Sequence, residues 1–283
     1  MSTILACTDG SQYSGSICQH TAWIATKMNA SVHVLHVIER SEADAGTDLS
    51  GNLGFDASNE LLEELVSADE ANARVARLRS KALLQDAARQ LTETGIEVMT
   101  TQRHGSLVET LEEFEEQAEV LVIGKRGERA DFAKGHLGSN LERVVRTAKI
   151  PVLVASRAFK PIEKVMIAFD SGASALKAVH YVATEPLLQG TKIHLIAIGK
   201  VGSSLERGLE TAATGLRSAG FTIVQANFLQ GDVEDIIASE VEQRGVDLLV
   251  MGAYGHSKIR QMIIGSTTTS LIRTCLVPIL LFR

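Results

Sequence analysis

What most limits the fold of this chain is that it is written twice. "ILACTDGSQYS" (4–14) resembles "VMIAFDSGASA" (165–175), each a short apolar run that ends in an aspartate, Asp9 or Asp170. "VHVLHVIE" (32–39) resembles "IHLIAIGK" (193–200), and "GSLVETLEEFEEQAEVLVIG" (105–124) resembles "GDVEDIIASEVEQRGVDLLVMG" (231–252). "KIPVLVA" (149–155) resembles "LVPILLF" (276–282). Matches in the same order in both halves mark a duplicated unit, and 283 residues are enough for two ordinary domains.

Within each half, apolar strand-like runs alternate with helix-period segments. The first half places strands near 3–8, 31–38, 96–103, 119–123 and 151–155, with helices near 14–28, 68–94, 106–117 and 139–147. The second places strands near 163–169, 191–198, 221–229, 246–251 and 277–282, with helices near 173–188, 203–218, 232–243 and 266–274. Near-continuous apolar strands such as "DLLVMG" suit a parallel sheet covered on both faces. Strict β-α alternation suits doubly wound domains with right-handed crossovers. The sequence therefore predicts an α/β fold of two tandem, doubly wound, five-stranded parallel-sheet domains of Rossmann-like or flavodoxin-like type, over 1–156 and 163–283. Pro161 interrupts regular structure in the linker "SRAFKPIE" (156–163). Ser106 with Glu109 forms a capping-box pattern, and Asp232 can cap the equivalent helix.

The halves differ in length at one place. From Asp9 to Gly124 is 115 positions, whereas from Asp170 to Gly252 is 82. The surplus of 33 falls around 39–70, where Glu39, Glu42, Asp44, Asp48, Asp56, Glu60, Glu63, Glu64, Asp69 and Glu70 stand against Arg40 alone. This acidic insert is expected to be solvated, with a lid or a partner-docking segment as the alternative. Its Gly-rich part, "AGTDLSGNLG" (45–54), is expected to be a mobile surface loop.

The chemistry concentrates in a glycine loop that is also written twice. "MGAYGHSKIRQMIIGSTTTS" (251–270) carries Gly252, Gly255 and Gly265 before a Ser-Thr run; "IGKRGERADFAKGHLGSNLE" (123–142) carries Gly124, Gly127 and Gly138. Nine residues separate Gly255 from Gly265, and ten separate Gly127 from Gly138. Open parallel sheets bind ligands beyond the carboxyl ends of their strands, where strand order reverses. The strands ending at Asp170 and Met251 are expected to be neighbours there. The loop feeds a helix from about Ser266, whose unpaired N–H groups and dipole favour an anion, phosphate above all. Glycine lets the backbone turn through positive φ and lets phosphate approach with no Cβ in the way. Ser266, Thr267 and Thr268 add hydroxyl donors, and His256 can donate to a phosphate. Asp170 can accept from a ribose hydroxyl or hold a metal through water.

Other chemistries lack their motifs. GxxxxGK[ST], GxGxxG after a strand, and GxSxG are all absent, which removes Walker-type, dinucleotide-Rossmann and α/β-hydrolase readings. His20, His33, His36, His104, His180 and His194 show no ligand spacing and read as packing or surface residues; His33 and His36, three apart on a strand, point to opposite faces. Trp23 reads as helix–sheet packing. A formal net charge of -6 argues against nucleic acid or an anionic membrane as the main partner. No run of about 18 apolar residues predicts a transmembrane helix, and the first residues show no signal-peptide pattern. Three cysteines without CxxC spacing suggest reduced thiols and a cytoplasmic protein.

G-x2-G-x9-G-[ST] after the fourth strand, with an aspartate after the first, resembles the universal stress protein family. The resemblance covers nearly the whole chain as two fused family domains. It implies that ATP or AMP is held by this loop, by the aspartate and by main-chain groups at the end of the second strand. Carried over, the positions are Asp170, Ala197, Gly252, Gly255, Gly265, Ser266 and Thr267, with His256 inside the loop; Mg²⁺ would accompany ATP through Asp170. The first half keeps Asp9, Val37, Gly124, Gly127, Gly138 and Ser139, but departs by the extra residue, by Asn140 in place of Thr267, and by Glu128 and Asp131 in the loop, which Lys125, Arg126, Arg129 and Lys134 could offset. Its binding is therefore expected to be weaker. The resemblance further implies that the fifth strands, "PVLVA" (151–155) and "PILLF" (278–282), pair within one chain about a pseudo-two-fold axis. A homodimer of the tandem chain is also expected.

The leading functional expectation is an adenine-nucleotide-binding regulatory protein of the stress response, with no efficient chemistry of its own, because no nucleophile–base pair stands out. Two alternatives remain open at this level: a slow ATPase or phosphotransferase using Mg²⁺ on Asp170, and an adaptor with an empty site whose acidic insert contacts a protein partner.

Overall fold

Most strands of this protein are apolar at successive positions, which only burial of both sheet faces can accommodate. The computed structural model describes residues 2–39, 55–125, 139–200, 202–253 and 265–283. The first half runs β1 (Thr3–Cys7), α1 (Ser14–Met28), β2 (Ser31–Ile38), α2 (Phe55–Thr92), β3 (Val98–His104), α3 (Leu107–Phe114), β4 (Val120–Gly124), α4 (Ser139–Thr147) and β5 (Val152–Ala155). The second runs β6 (Lys164–Ala168), α5 (Ala173–Thr184), β7 (Lys192–Ile198), α6 (Ser204–Ser218), β8 (Thr222–Leu229), α7 (Val233–Arg244), β9 (Leu248–Gly252), α8 (Ser266–Thr274) and β10 (Ile279–Phe282).

The strands form one ten-stranded sheet in the order β3-β2-β1-β4-β5-β10-β9-β6-β7-β8. Within each half the pairing is parallel; β5 and β10 meet antiparallel, with Val152, Leu153 and Val154 opposite Leu281, Leu280 and Ile279. The fifth strands thus pair within the chain, as expected, and the two five-stranded sheets become one continuous sheet. A lone β5 or β10 would leave a row of N–H and C=O groups unpaired; here each covers the other, and only β3 and β8 remain as edges.

Alternate residues of each strand feed two core layers. Ile4, Ala6, Leu153 and Leu280 join Ile17 of α1, Leu84 of α2, Ala178 of α5 and Leu209 of α6 on one face. Leu5, Val152, Val154 and Leu281 join Leu111 of α3, Val144 of α4, Ile237 of α7 and Leu271 of α8 on the other. Both layers run unbroken across the β5–β10 joint. Each fully buried Leu or Ile contributes about 1.5–3 kcal/mol relative to exposure, so the joint is held by apolar burial as well as by its ladder. His33 meets Thr101 Oγ1 (2.8 Å) and the edge of Phe114, whereas His36 meets Ser80 Oγ of α2 (2.8 Å), so the two histidines do face opposite sides.

Two local features refine the sequence reading. Helix α2 starts at Phe55 rather than near residue 68, so much of the acidic insert is helix and not loop. No Gly or Pro occurs from 55 to 94, and Ala, Leu, Glu and Arg dominate the stretch, so helix propensity carries the helix back into the acidic insert. The Gly-rich stretch 45–54 lies outside the described residues. The linker is seated against the body: Ser16 Oγ donates to Ser156 O (2.7 Å), and the Phe159 ring meets His20 edge-on at 5.0 Å.

Candidate nucleotide site

Strand order reverses between β6 and β9, because the chain leaves β6 for β7 and β8 and then crosses back. Ala168 of β6 pairs with Met251 of β9, so the expected neighbours are neighbours. Just beyond β6, Asp170 Oδ1 accepts from Gly172 N (2.8 Å), closing a turn in which Ser171 takes φ 60°. The first half builds the same turn: Asp9 Oδ1 accepts from Ser11 N (3.0 Å), with Gly10 at φ 76°. Both aspartates therefore have a local role in shaping the strand-to-helix turn.

At the end of β9, Gly252 lies hard against the first turn of α5. A Cβ there would stand 2.9 Å from Ser174 Cβ and 3.2 Å from Ala175 N, so glycine is required for close helix approach whatever ligand is present. Gly265 begins α8 at φ -56° and ψ 140°, a conformation open to any residue. Its N–H faces Ala253 O (3.5 Å), and Thr268 Oγ1 donates to the same oxygen (3.3 Å). The start of α8 is thus pinned to the residue that follows Gly252. Thr268 is buried with its hydroxyl so engaged, which corrects the expectation that it faces a ligand; Ser266 is exposed and Thr267 half-buried.

Two helix N-termini consequently meet at this end of the crevice, α5 at Gly252 and α8 at Ala253. Neither has a side-chain cap, and neither carries an acidic residue in its first turn. By contrast, α7 is capped by Asp232, which accepts from Glu234 N (2.9 Å) and Asp235 N (3.1 Å), and α3 by Ser106, which accepts from Glu109 N (3.5 Å). Side chains of the protein thus supply the negative ends for α3 and α7. At the switch point the positive dipole ends of α5 and α8 have no such complement from their own caps or first turns.

Register changes one assignment at the second strand. Ala6 pairs with Val34, and Ile167 with Leu195, which makes Ile198, not Ala197, the counterpart of Val37. Ala197 is buried in the core layer, whereas Val37 and Ile198 are half-buried. The match of 32–39 with 193–200 carries the same register, so Val37 and Ala197 are not equivalent positions of the two halves. Gly255 and His256, and in the first half Gly127 and Gly138, lie outside the described residues, and Ser139 is described only as the first residue of α4.

The first half differs at three described positions. Tyr13 stands where the second half has Ser174, and it packs over Gly124: a Cβ at Gly124 would stand 3.0 Å from Tyr13 Cβ. Glu39 stands where the second half has Lys200. Its carboxylate accepts from Asn140 Nδ2 (2.9 Å) at the start of α4 and from Leu107 N (3.4 Å) at the start of α3. Lys125 stands where the second half has Ala253. It is buried, and its Nζ donates to Cys275 O at the C-terminal end of α8, across the joint. Burial pushes the Lys125 ammonium from 10.5 down to about 8, with the neighbouring Cys275 acting weakly the other way. Sequence reading passed over Tyr13 and Glu39; the signal for both was their mismatch with Ser174 and Lys200 between the repeats.

Among the described residues, no cluster of three or more His, Cys, Asp or Glu is placed to hold a metal. Burial pushes the pKa of His20 and of His194 below the ordinary histidine value, and both are inside the protein. Arg244 already holds the Glu240 carboxylate that lies 3.3 Å from His194 Nε2, so this trio belongs to packing of α7 on the sheet. Cys7, Cys18 and Cys275 are free and buried. None of the described helices is long and apolar enough to cross a membrane.

The family model described as "Universal stress protein family" matches residues 1–156 and again 161–283. The chain belongs to the universal stress protein family. It is 38% identical over 288 residues to universal stress protein Slr1230 of Synechocystis, covering 100% of both chains. It is 28% identical over 154 residues to universal stress protein MJ0531 of Methanocaldococcus jannaschii, covering 53% of this chain and 79% of that one. A universal stress protein from Archaeoglobus fulgidus matches the fold across 99% of this chain and 98% of its own, with a TM-score of 0.72 at 21% identity. A universal stress protein crystallised in complex with cAMP covers 44% of this chain with a TM-score of 0.38, a likeness of one half only. The two family matches coincide with the two parallel halves of the sheet, so each half is one universal stress protein unit and the β5–β10 joint is where the units meet.

Proposed function

We propose that this universal stress protein is a regulatory binder of adenine nucleotide whose second half holds ATP or AMP at the carboxyl end of β6 and β9. The observation that carries this reading is the meeting of two N-termini, those of α5 and α8, at Gly252 without acidic caps, beside Asp170 on the adjoining strand. Asp170 already lies at the N-cap of α5, so the start of α8, with no acidic residue in its first turn, is the end that suits a polyphosphate, because backbone N–H groups can bind its oxygens. Ser266 and Thr267 would add hydroxyl donors. Main-chain groups near Ala197 and Ile198 would meet the base, and Asp170 the ribose or a phosphate-bound Mg²⁺. Gly255 and His256 would complete the loop.

The first half is the weaker binder in this reading. Tyr13 crowds the space above Gly124, and the Glu39 carboxylate sits between the N-termini of α3 and α4, where it repels a phosphate. The output is then a nucleotide-dependent state of the protein in the stress response, and the reading assigns no catalytic step.

The direct test is mass spectrometry of small molecules released on denaturing the freshly purified protein, followed by calorimetric titration of emptied protein with ATP and AMP. The expected result is an adenine nucleotide at about one per chain, with Gly265→Val binding at least tenfold more weakly. Protein that retains no nucleotide and binds neither ATP nor AMP would favour an adaptor with an empty site.

A further inference from the structure

The two halves carry opposite charges at one position. The register of β2 on β1 and of β7 on β6 makes Glu39 the counterpart of Lys200, each standing just beyond the end of its strand. Both are exposed. The first half shows what a side chain at this position reaches. The Glu39 carboxylate accepts from Asn140 Nδ2 (2.9 Å) and from Leu107 N (3.4 Å). Asn140 is the second residue of α4, as Thr267 is of α8, and Leu107 is the first of α3, as Val233 is of α7. A carboxylate of the chain itself is therefore seated at the start of the helix that follows the first glycine loop.

The second half repeats the frame with the charge reversed. Helices α7 and α8 adjoin there, since Ser270 Oγ of α8 donates to the Glu234 carboxylate of α7. Asp232 caps α7, and Glu234 and Asp235 stand in its first turn. Together with Asp170, these carboxylates make the surroundings of the α8 start acidic, and an anionic ligand needs a cation to offset them. Lys200 has a longer stem than Glu39 and starts from the equivalent backbone position, so the start of α8 is within its reach.

We propose, on the nucleotide reading above, that this position decides which half takes a polyphosphate: Lys200 is a specificity-determining residue that adds its charge to the phosphates at the start of α8, and Glu39 is an internal anion that holds the equivalent place in the first half. A charge here acts on every charge of the ligand. ATP, at about −4, therefore feels it about twice as strongly as AMP, at about −2. Adenosine carries no charge and is indifferent to it.

The test is calorimetric titration of the full chain with ATP, AMP and adenosine in excess chelator. Lys200→Glu should weaken ATP binding about tenfold or more and AMP binding by about the square root of that factor, with adenosine unchanged. Lys200→Arg should bind all three as the parent does. In the Gly265→Val chain, where the second half binds weakly, adding Glu39→Lys should strengthen ATP binding about tenfold. Both positions are exposed, so far-UV circular dichroism should show an intact fold. A parent chain that binds ATP, with Lys200→Glu binding it as tightly, would overturn this proposal alone. So would an equal loss for ATP, AMP and adenosine, which marks a structural role, or no gain from Glu39→Lys. A parent chain that binds none of the three would overturn the nucleotide reading and this proposal with it.

Discussion

Gly252 and Gly265 belong to one motif, but the structure gives them different duties, and substitution should separate those duties. A Cβ at position 252 would stand 2.9 Å from Ser174 Cβ and 3.2 Å from Ala175 N, the second a backbone atom that cannot swing aside. Gly252→Ala therefore overpacks the β9–α5 contact, and such changes cost about 1–3 kcal/mol. At position 265 the nearest atoms to a new Cβ are Thr268 Oγ1 at 3.6 Å and Ala253 O at 3.9 Å, ordinary contact distances, and φ is -56°. Gly265→Val should then cost about 1 kcal/mol or less, the loss of a favoured N-cap residue, and so less than Gly252→Ala. For the ligand the ranking reverses: a side chain on the N-cap residue of α8 lies where phosphate must approach the helix N–H groups, and affinity should fall at least tenfold. Urea unfolding monitored by circular dichroism, without nucleotide, gives the first quantity, and calorimetric titration with ATP gives the second. A Gly265→Val protein as destabilised as Gly252→Ala, or one that binds ATP like the parent, would refute the division of roles.

Three further outcomes are expected. At the joint, Leu153 and Leu280 are opposite each other and fully buried, so Leu280→Ala should cost about 2–5 kcal/mol, and a double-mutant cycle with Leu153→Ala in urea unfolding should show coupling of at least about 0.5 kcal/mol; strict additivity would contradict the pairing. Lys125 loses its proton at about 8 when folded and at its ordinary 10.5 when unfolded, so between those values the unfolded chain binds more protons and this group makes stability rise with pH. Lys125→Met should remove that rise, on the order of 3 kcal/mol for the full shift, in denaturation curves compared with the parent at each pH; identical pH profiles would show the ammonium to be solvated. Asp170→Asn keeps an acceptor for Gly172 N and should keep the turn, but it should abolish any gain in ATP affinity from Mg²⁺ while leaving AMP binding indifferent to chelator, as measured by titration with and without the cation.

The repeat and its periodicities were enough to read the element types and their order, because period-two and period-3.6 burial are local demands that the apolar positions must meet. Asp9, Asp170 and Gly252 could be picked out from spacing alone, since a tight strand-to-helix turn and a close helix approach each call for particular residues at fixed offsets. What the sequence could not decide were matters of distance through space. Whether Gly252 serves a phosphate or the first turn of α5 depends on where Ser174 lies, 78 positions earlier in the chain. That Lys125 reaches Cys275 O follows from the antiparallel joint, which carries the C-terminal end of α8 to the end of β4. The helical acidic insert was obscured because charge balance and helix propensity point different ways, and only the folded chain shows which prevails. Local pattern is written residue by residue, whereas the partners of a buried or charged group are chosen by tertiary packing, which brings together segments that have no sequence relation to one another.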